Sequence, residues 1–488
     1  MREKSFPWRT FLPRSLLLVL SLSLFACGGG VDGSSPAQSI KLPALSNLFN
    51  WTHDEKVVGF SHSAEILAIE PFKSSGNPAN LPDAASAVAA LAANTVYQYG
   101  KNPDGTLRTN NTVDDYMNHN KISGLLVIKN GAVALERYAM GMDRTTLWDS
   151  KSAGKSVVSV LMGAAMKDGS IKSLDDTVEK YVPELAGSAY QGVTLRNLLH
   201  MSSGVAWNEN YLDPKSDIVA VINCVANKTA GCILNHMKTL VRAKDANTGA
   251  PTAQGTVWNY STGEAFVSGL VVQRATGMSL SKYIQSKIWQ PFGMEADGNW
   301  WLESDGGVSF GGGGFNATLR DYGRLGLFVL NNGKLANGTS VLPDNWVTDS
   351  TTWISQSAVP GYADNGSYGN MWWFSPAYDD GVHNASPLFT NIGAPLQNTT
   401  IPTGAVPVQS RGPVQGQPGA SSDWTFMAIG VFGQMIAINQ RENLVVVEWG
   451  VWDKPDPHCC DSTDPTYIAN NPYNEEAVFV NALTEALH

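Results

Sequence analysis

Short apolar runs near residue 125 and again near residue 430 predict the strands of one sheet. Leu125–Ile128 and Ala132–Tyr138 flank Asn130-Gly131, a residue pair that is typical of a two-residue hairpin turn. Two further apolar segments, Phe426–Asn439 and Asn443–Gly450, are joined by three polar residues. Because mostly helical patterns lie between the two groups, we expect an antiparallel sheet that is built from both ends of the chain.

Longer segments with apolar and small residues at helical spacing predict the helices. They are Ala84–Tyr99, Val157–Met166, Glu264–Thr276, Leu280–Trp289, Asp321–Leu330 and Asn474–Leu487. The predicted fold class is therefore α+β, with an antiparallel sheet flanked by helices and an inserted, mostly helical lobe at about 165–295. Residues 351–425 are rich in Gly, Pro, Asn and Ser, so we expect them to form long loops that border a cleft.

The N-terminus has the pattern of an export signal. Four basic residues precede the short apolar segment Leu16–Phe25, and Cys27 follows in a sequence that resembles a bacterial lipobox. This pattern predicts a lipoprotein-type signal peptide at residues 1–26 and a lipid on Cys27. Phe25 is unusual in a lipobox, so signal cleavage without lipidation is the alternative.

The export signal also sets the expected domain organisation. A flexible tether at 27–42 would lead into one domain at 43–488. The protein would be exported, and its only membrane contact would be the N-terminal lipid anchor on the periplasmic or outer-membrane side of the cell envelope.

Composition narrows the choice of partner and compartment. The 488 residues carry a formal net charge of −10 without a basic run, so we expect no nucleic-acid partner. After export, Cys224, Cys232, Cys459 and Cys460 could pair in three ways. A zinc site that uses His458 with the last two cysteines is a minor alternative. The sequence otherwise indicates no metal and no cofactor, and it does not indicate an oligomeric state.

Ser152 and Lys155 are the strongest candidates for chemistry. They lie three residues apart at the expected start of the helix through Val157–Met166, so their side chains share one face. A serine hydroxyl becomes a good nucleophile when a base takes its proton. A lysine can be that base only if burial or nearby cations lower its pKa from about 10.4. Lys151 is a candidate for such a cation, and the helix N-terminus offers N–H groups to an oxyanion.

Two other serine motifs favour structural interpretations. Ser279 and Lys282 repeat the spacing, but there we expect a helix cap and a solvated lysine. Gly307–Gly311 fits the Gly-x-Ser-x-Gly pattern, which would make Ser309 a nucleophile on a turn between a strand and a helix. Glycine-rich residues flank it, so we expect a flexible loop without a catalytic role.

Three stretches together resemble serine β-lactamases, penicillin-binding proteins and their esterase relatives. Ser152-Ala153-Gly154-Lys155 is similar to the first motif of that group, and Tyr260-Ser261-Thr262 is similar to the second. Gly430-Val431-Phe432-Gly433-Gln434 falls where the third motif is expected. The motifs occur in the family's order, and the resemblance covers about residues 120–455.

Within that group, the sequence is most similar to 6-aminohexanoate-dimer hydrolases and related esterases. Asn210–Asp217, Met371–Trp373 and Ala428–Gln434 carry this resemblance. It implies a β-lactamase/transpeptidase-like fold and a metal-independent acyl hydrolase without a cofactor.

The resemblance also implies a role for each matching residue. Ser152 would be the nucleophile, and Lys155 would be its base or the partner that keeps Tyr260 acidic. Tyr260 would donate a proton to the leaving group and help to activate the deacylating water. The backbone N–H groups of Ser152 and Val431 would form the oxyanion hole, and Tyr211 would contact the substrate. Alternatively, each tyrosine could be a packed aromatic residue.

Two departures from the family pattern bear on the substrate. Thr262 stands where class C enzymes carry Asn, and Ala428 stands where β-lactamases carry Lys and esterases often carry His. A β-lactam carboxylate would thus lose a cationic anchor. We therefore expect a serine hydrolase that cleaves a small ester or amide through a Ser152 acyl-enzyme. The alternatives are a penicillin-recognising or sensor lipoprotein that acylates with little turnover, a weak β-lactamase, and a structural envelope lipoprotein.

Overall fold

The hairpin predicted around Asn130-Gly131 is present and forms one edge of the main sheet. Both turn residues have positive φ angles, 52° and 76°, as a tight hairpin turn requires. Ala132–Tyr138 is the edge strand, and Ile122–Lys129 pairs with Leu444–Gly450 from the C-terminal part of the chain. The predicted antiparallel sheet with strands from both chain ends is therefore confirmed.

A computed structural model describes residues 40–244, 248–351, 357–358, 368–374, 377–378, 407–408, 425–455 and 470–488. Its strands are β1 (Ile69–Phe72), β2 (Ile122–Lys129), β3 (Ala132–Tyr138), β4 (Trp148–Asp149), β5 (Val257–Trp258), β6 (Gly298–Trp301), β7 (Phe315–Ala317), β8 (Ser357–Ala358), β9 (Trp373–Phe374), β10 (Ala377–Tyr378), β11 (Pro407–Val408), β12 (Thr425–Gly430), β13 (Gln434–Asn439) and β14 (Leu444–Gly450). The main antiparallel sheet has the order β3-β2-β14-β13-β12-β9, and a smaller antiparallel sheet has the order β1-β6-β7-β4. Two short pairs, β5 with β8 and β10 with β11, complete the strands of these ranges.

Helices surround the main sheet and fill most of the expected lobe. The α-helices of the described ranges are α1 (His53–Ser61), α2 (Ser63–Ile66), α3 (Ser86–Ala93), α4 (Val113–His119), α5 (Ala153–Lys167), α6 (Leu195–Leu199), α7 (Asp217–Ala226), α8 (Cys232–Thr239), α9 (Thr262–Thr276), α10 (Leu280–Ile284), α11 (Gln290–Phe292), α12 (Leu319–Leu330), α13 (Trp346–Ser350) and α14 (Pro472–Ala486). Short 3₁₀ turns occur at Leu45–Asn50, Val178–Lys180 and Pro183–Leu185, and a π turn at Gln285–Trp289 continues α10. In the parts of the chain that these ranges cover, no helix is both long and apolar enough to span a membrane.

Successive side chains of β2 enter two different cores. Leu126 and Ile128 belong to the larger core, on the face that α12 covers. Leu125 and Val127 belong to the smaller core, together with residues of α4 and α14. Because both faces are covered, the strand is a continuous apolar run and does not alternate with polar residues.

The predicted helix boundaries hold where glycine or a capping serine marks them. Gly277 has a φ of 69° and ends α9, as expected of a left-handed helix terminus. Ser279 then caps α10, its Oγ accepting a hydrogen bond from the Lys282 N–H at 3.2 Å, and Lys282 is exposed. The structural interpretation of this second Ser-x-x-Lys motif is confirmed. The alanine-rich helix is shorter than predicted, because it ends at Ala93.

One predicted strand is wrong. Phe426–Asn439 is two strands, β12 and β13, because the chain reverses at Val431-Phe432-Gly433. Phe432 and Gly433 have φ angles of 67° and 86° in this turn. The apolar character of the turn hides it in the sequence, and Gly433 is the only residue in it that favours a turn.

Several sequence predictions fall wholly or largely outside the described residues. These are the signal peptide at 1–26, Cys27, nearly all of the tether at 27–42, the pairing of Cys459 and Cys460, and most of the loops at 351–425. Of the cysteines within the described ranges, Cys224 and Cys232 form a disulfide between α7 and α8.

The smaller core contains buried carboxylates beneath the C-terminal helix. Glu448 of β14 accepts a hydrogen bond from the Tyr116 hydroxyl, and Glu476 of α14 is also buried. Nearby Glu475 instead bonds to Tyr97, Arg108 and His119. Burial raises the pKa of Glu476 well above its ordinary value, and Glu448 raises it further. The native protein therefore holds a proton that the unfolded chain releases.

We predict that Glu476→Gln removes part of the pH dependence of stability. A native carboxyl with a raised pKa stabilises the fold below its unfolded value of about 4.5, and this contribution is lost as pH rises towards the folded value. The variant should gain stability relative to wild type as the pH rises above about 5 in urea unfolding. A difference that does not change with pH would contradict the assignment. Lys180, which is paired on the surface, offers a control substitution to Gln.

Candidate active site

The sequence folds so that Ser152 lies at the start of α5 with a hydroxyl that does not cap the helix. Ser152 occupies the N-cap position, but its side chain does not bond to the helix backbone. Instead Lys155, one turn later, donates from Nζ to Ser152 Oγ at 2.7 Å. The same Nζ donates to the Gly312 carbonyl oxygen at 2.8 Å. The nucleophile and base that the sequence suggested are therefore in direct contact.

Burial controls the basicity of Lys155. Its side chain is 1% exposed, and burial lowers its pKa from 10.5 to about 8. The charge of Glu209 opposes this shift and raises the pKa. A neutral amine is thus accessible near pH 8, which general-base chemistry at Ser152 requires.

Lys151 does not act on Lys155 as we expected. Its Nζ lies 2.5 Å from Asp149 Oδ2, and both side chains are buried. The lysine charge is therefore neutralised by a carboxylate, and the low pKa of Lys155 follows from burial. Lys151 Nζ also lies 4.0 Å from the ring centroid of Phe60, so its role is in packing beside the nucleophile.

Tyr260 lies beside the serine–lysine pair. It comes two residues before α9, its side chain is 7% exposed, and Lys155 Nζ is 5.1 Å from its ring centroid. Trp258, Tyr368 and Trp373 pack around the ring with centroid distances of 5.5–6.3 Å. The structure thus brings Tyr260 beside the pair of Ser152 and Lys155, although it lies far from them in the sequence. Tyr260 is therefore both a packed aromatic residue and a neighbour of the Lys155 amine.

Glu209 is a site residue that sequence analysis missed. Its carboxylate is 8% exposed and accepts hydrogen bonds from the Trp207 indole N–H and from the Tyr211 hydroxyl, the latter at 3.2 Å. It also accepts from the backbone N–H and the hydroxyl of Thr262, at 3.0 and 2.5 Å. Its position in the sequence could have indicated a site residue, because Glu209 directly precedes the stretch Asn210–Asp217 that resembles 6-aminohexanoate-dimer hydrolases.

The contacts of Glu209 explain the departure at Thr262. The hydroxyl of Thr262 donates a hydrogen bond to the buried carboxylate of Glu209. An Asn at this position would have to fit a larger side chain beside Glu209. The second motif therefore holds Glu209 near Lys155, where its charge can act on the amine.

The turn after β12 approaches the nucleophile backbone. A Cβ added to Gly430 would lie 2.5 Å from the Ser150 carbonyl oxygen and 3.0 Å from the Ser152 nitrogen. Within the described part of the chain, the backbone N–H groups of Ser152 and Val431 make no hydrogen bond. The two proposed oxyanion-hole donors are thus at adjacent chain segments, and both are available to a ligand.

The cleft beside Ser152 is mostly apolar. Its lining residues include Leu48 and Phe49 from the N-terminal 3₁₀ turn, Ile218 and Ile222 from α7, Tyr211, Trp301, Phe310 and Val431. Glu209 and Thr262 supply polar groups of the lining, beside Lys151 and Ser152. Over the described ranges, no group of three His, Cys, Asp or Glu side chains could hold a metal ion.

The rival nucleophile is not placed for catalysis. Ser309 is 0% exposed, its Oγ accepts from the Leu280 N–H, and its own N–H donates to Gln273. It pairs as a single bridge with Leu302, not on a turn between a strand and a helix. The segment has no catalytic geometry, as predicted, but it is buried and hydrogen-bonded where we expected a flexible loop.

Comparison with known proteins identifies the class. The β-lactamase family matches residues 109–449, which is more than half of the chain. The chain therefore belongs to the β-lactamase family, and it has the β-lactamase/transpeptidase-like fold expected from its motifs.

Particular relatives narrow the class. The chain is 26% identical over 342 residues to 6-aminohexanoate-dimer hydrolase from Paenarthrobacter ureafaciens, which covers 68% of this chain and 73% of that protein. A structure from Bacillus anthracis, provisionally described as a 6-aminohexanoate-dimer hydrolase, covers 87% of this chain and 94% of its own, with 20% identity and a TM-score of 0.58. A Bacteroides dorei DSM 17855 structure, provisionally described as a β-lactamase, covers 75% and 95%, with 21% identity and a TM-score of 0.52. The chain is thus a serine hydrolase of this family, related to 6-aminohexanoate-dimer hydrolase.

We predict that Glu209→Gln moves the pH profile of activity to lower pH. We expect the neutral form of Lys155 to act as the base, so kcat/KM should rise with pH through the lysine pKa of about 8. Loss of the Glu209 charge removes an attraction for the ammonium, so the midpoint should fall. Glu448→Gln, which removes a buried carboxylate on the other side of the sheet, should leave the midpoint in place. A midpoint that stays or rises in Glu209→Gln would contradict this electrostatic role.

We also predict that Gly430→Ala damages the oxyanion hole. The new methyl group would collide with the backbone at Ser150 and Ser152, so β12 must move away from the nucleophile. Loss of one aligned donor should lower kcat by about 10²-fold or more, with a smaller change in KM. Gly105→Ala, at a positive-φ turn with open space around it, controls for the general cost of substituting glycine. Equal losses in the two variants would rule out a specific effect.

Proposed function

We propose that this chain is an exported serine hydrolase that cleaves small esters or amides through an acyl-enzyme on Ser152. The main support is the 2.7 Å contact between Ser152 Oγ and the buried amine of Lys155. Membership of the β-lactamase family and the relation to 6-aminohexanoate-dimer hydrolase support the hydrolase class. The signal-like N-terminus with Cys27 supports export and a lipid anchor.

The reaction begins with acyl transfer to the serine. Neutral Lys155 accepts the Ser152 proton while Oγ attacks the substrate carbonyl carbon. The carbonyl oxygen becomes an oxyanion, which accepts hydrogen bonds from the N–H groups of Ser152 and Val431. The tetrahedral intermediate then expels the alcohol or amine, and the leaving group takes a proton from Tyr260. The lysine ammonium returns its proton to the phenolate, so both groups are restored.

Hydrolysis of the acyl-enzyme completes the cycle. A water molecule attacks the ester carbonyl carbon while the Tyr260–Lys155 pair accepts one of its protons. The bond from carbon to Ser152 Oγ breaks, Oγ regains a proton from the pair, and the carboxylic acid leaves. A phenol and an amine side by side can share one proton, so pKa values measured for Tyr260 and Lys155 would belong to the pair.

The cleft favours esters and amides over β-lactams. Ala428 on β12 is a buried methyl group at the position where β-lactamases carry a cation for the substrate carboxylate. Lys151, which also lines the cleft, is already paired with Asp149. An uncharged acyl group therefore fits the lining better than an anionic one does.

The test compares two Ser-x-x-Lys motifs of the same chain. Ser152→Ala should lower the turnover of p-nitrophenyl butyrate by about 10³-fold or more, because nucleophile and base act as a unit. Lys155→Met should have an effect of similar size. Ser279→Ala and Lys282→Met, which change the motif at the start of α10, should leave turnover within a few-fold of wild type.

The acylated residue decides between the proposed function and its alternatives. Peptide mass spectrometry of the trapped acyl-enzyme should locate the acyl group on Ser152. Stoichiometric acylation of Ser152 without turnover would contradict the proposed hydrolase function and favour a penicillin-recognising or sensor role. Faster turnover of nitrocefin than of esters would favour a β-lactamase, and acylation of Ser309 would overturn the assignment.

A further inference from the structure

One wall of the cleft comes from the first described segment of the chain. Leu48 and Phe49 lie in the 3₁₀ turn Leu45–Asn50, about a hundred residues before Ser152, and they line the same cleft as the nucleophile. The lining also includes Ile218 and Ile222 of α7, a helix that packs against this turn. The N-terminal turn is therefore part of the site.

The turn is held by a hydrogen bond within its own segment and by burial in the larger core. The Trp51 indole N–H donates to the Ala44 carbonyl oxygen at 2.9 Å and closes the turn on itself. Leu45 and Leu48 are buried, so the turn is anchored in the larger core. The Phe49 ring is 5.0 Å from the ring of Tyr211, and it is only partly buried. Phe49 is thus a partly buried aromatic side chain that contacts Tyr211 and lines the cleft.

The chemistry of this wall suits a hydrocarbon. Leu48, Phe49, Ile218 and Ile222 present only carbon atoms to the space next to Ser152. An acyl group bound to Ser152 Oγ begins at the nucleophile, so its chain can extend along these side chains. Each methylene that leaves water for such a surface strengthens binding by about fourfold. The wall can therefore distinguish acyl chains by length.

We propose that the N-terminal turn is the acyl-chain wall of the site and that Phe49 sets the preferred chain length. The substrates are then esters or amides of medium-length aliphatic acids. This proposal rests on the proposed function, because it needs an acyl group on Ser152. Phe49 acts on selectivity between substrates, through contact with the part of the acyl chain away from the reacting bond.

The test measures kcat/KM for p-nitrophenyl acetate, butyrate, hexanoate and octanoate with the full-length protein. Wild type should prefer hexanoate over acetate by on the order of tenfold or more, since four further methylenes can contact the wall. Phe49→Ala should lower the hexanoate-to-acetate ratio by about tenfold, and Phe49→Leu should restore part of it. Ile222→Ala, on the helix that packs against the turn, should also lower the ratio.

Matched controls separate selectivity from general damage. Leu42→Ala removes an exposed leucine from the same N-terminal segment outside the cleft lining, so it should leave the ratio unchanged. A variant that is only destabilised loses activity on all four esters together, and this result for Phe49→Ala would overturn the proposal. An unchanged ratio in Phe49→Ala, or a flat wild-type profile with Ser152-dependent turnover, would also overturn it while leaving the proposed function intact. Absence of any Ser152-dependent turnover would reject both.

Discussion

The site depends on keeping the Lys155 amine out of water without a carboxylate bound to it. Its hydrogen-bond partners are Ser152 Oγ and the Gly312 carbonyl oxygen, so burial is not offset by a direct ion pair. The hydrogen bond from Lys155 to the Gly312 carbonyl needs the backbone of α5 and the backbone at Gly312-Gly313 to approach closely. A Cβ added to Gly154 of α5 would lie 3.2 Å from the Gly313 Cα. Glycines on both segments therefore let a carbonyl reach the lysine, and the low pKa of Lys155 follows from this packing.

The residue before the nucleophile uses the opposite arrangement. Lys151 is buried with a carboxylate at 2.5 Å and with aromatic rings around its ammonium, among them Phe60 and Trp51 of the N-terminal segment. Its φ of 47° is in the left-handed region, which few residues other than glycine adopt. The ion pair with Asp149 and the ring contacts stabilise this conformation, which turns the chain from β4 into α5. Lys151 and Lys155, four residues apart, thus have different roles, because Lys151 is bound to a carboxylate and Lys155 is not.

The sequence predicts the parts of the site that local spacing determines. The contact between Ser152 and Lys155 follows from one helical turn, and the sheet from both chain ends follows from the order of apolar runs. Glu209 could not be predicted in the same way, because its role depends on Trp207, Tyr211 and Thr262 meeting in space. The turn at Val431 was missed for a related reason. Val431 and Phe432 of this turn are buried, and the Phe432 ring packs against Phe60 of α1, so packing outweighs the usual turn chemistry.

The strand order also determines when the molecule can fold. β2 lies between β3 and β14, so one of its edges stays without a partner until residues near 450 have been made. During synthesis, Ile122–Lys129 therefore exists as an apolar strand with an open edge for more than three hundred residues of chain growth. Such edges are prone to aggregation, and long-range pairing is slow. Because the partner of β2 lies near the C-terminus, the growing chain must be kept apart from other unfinished chains until β14 has been made.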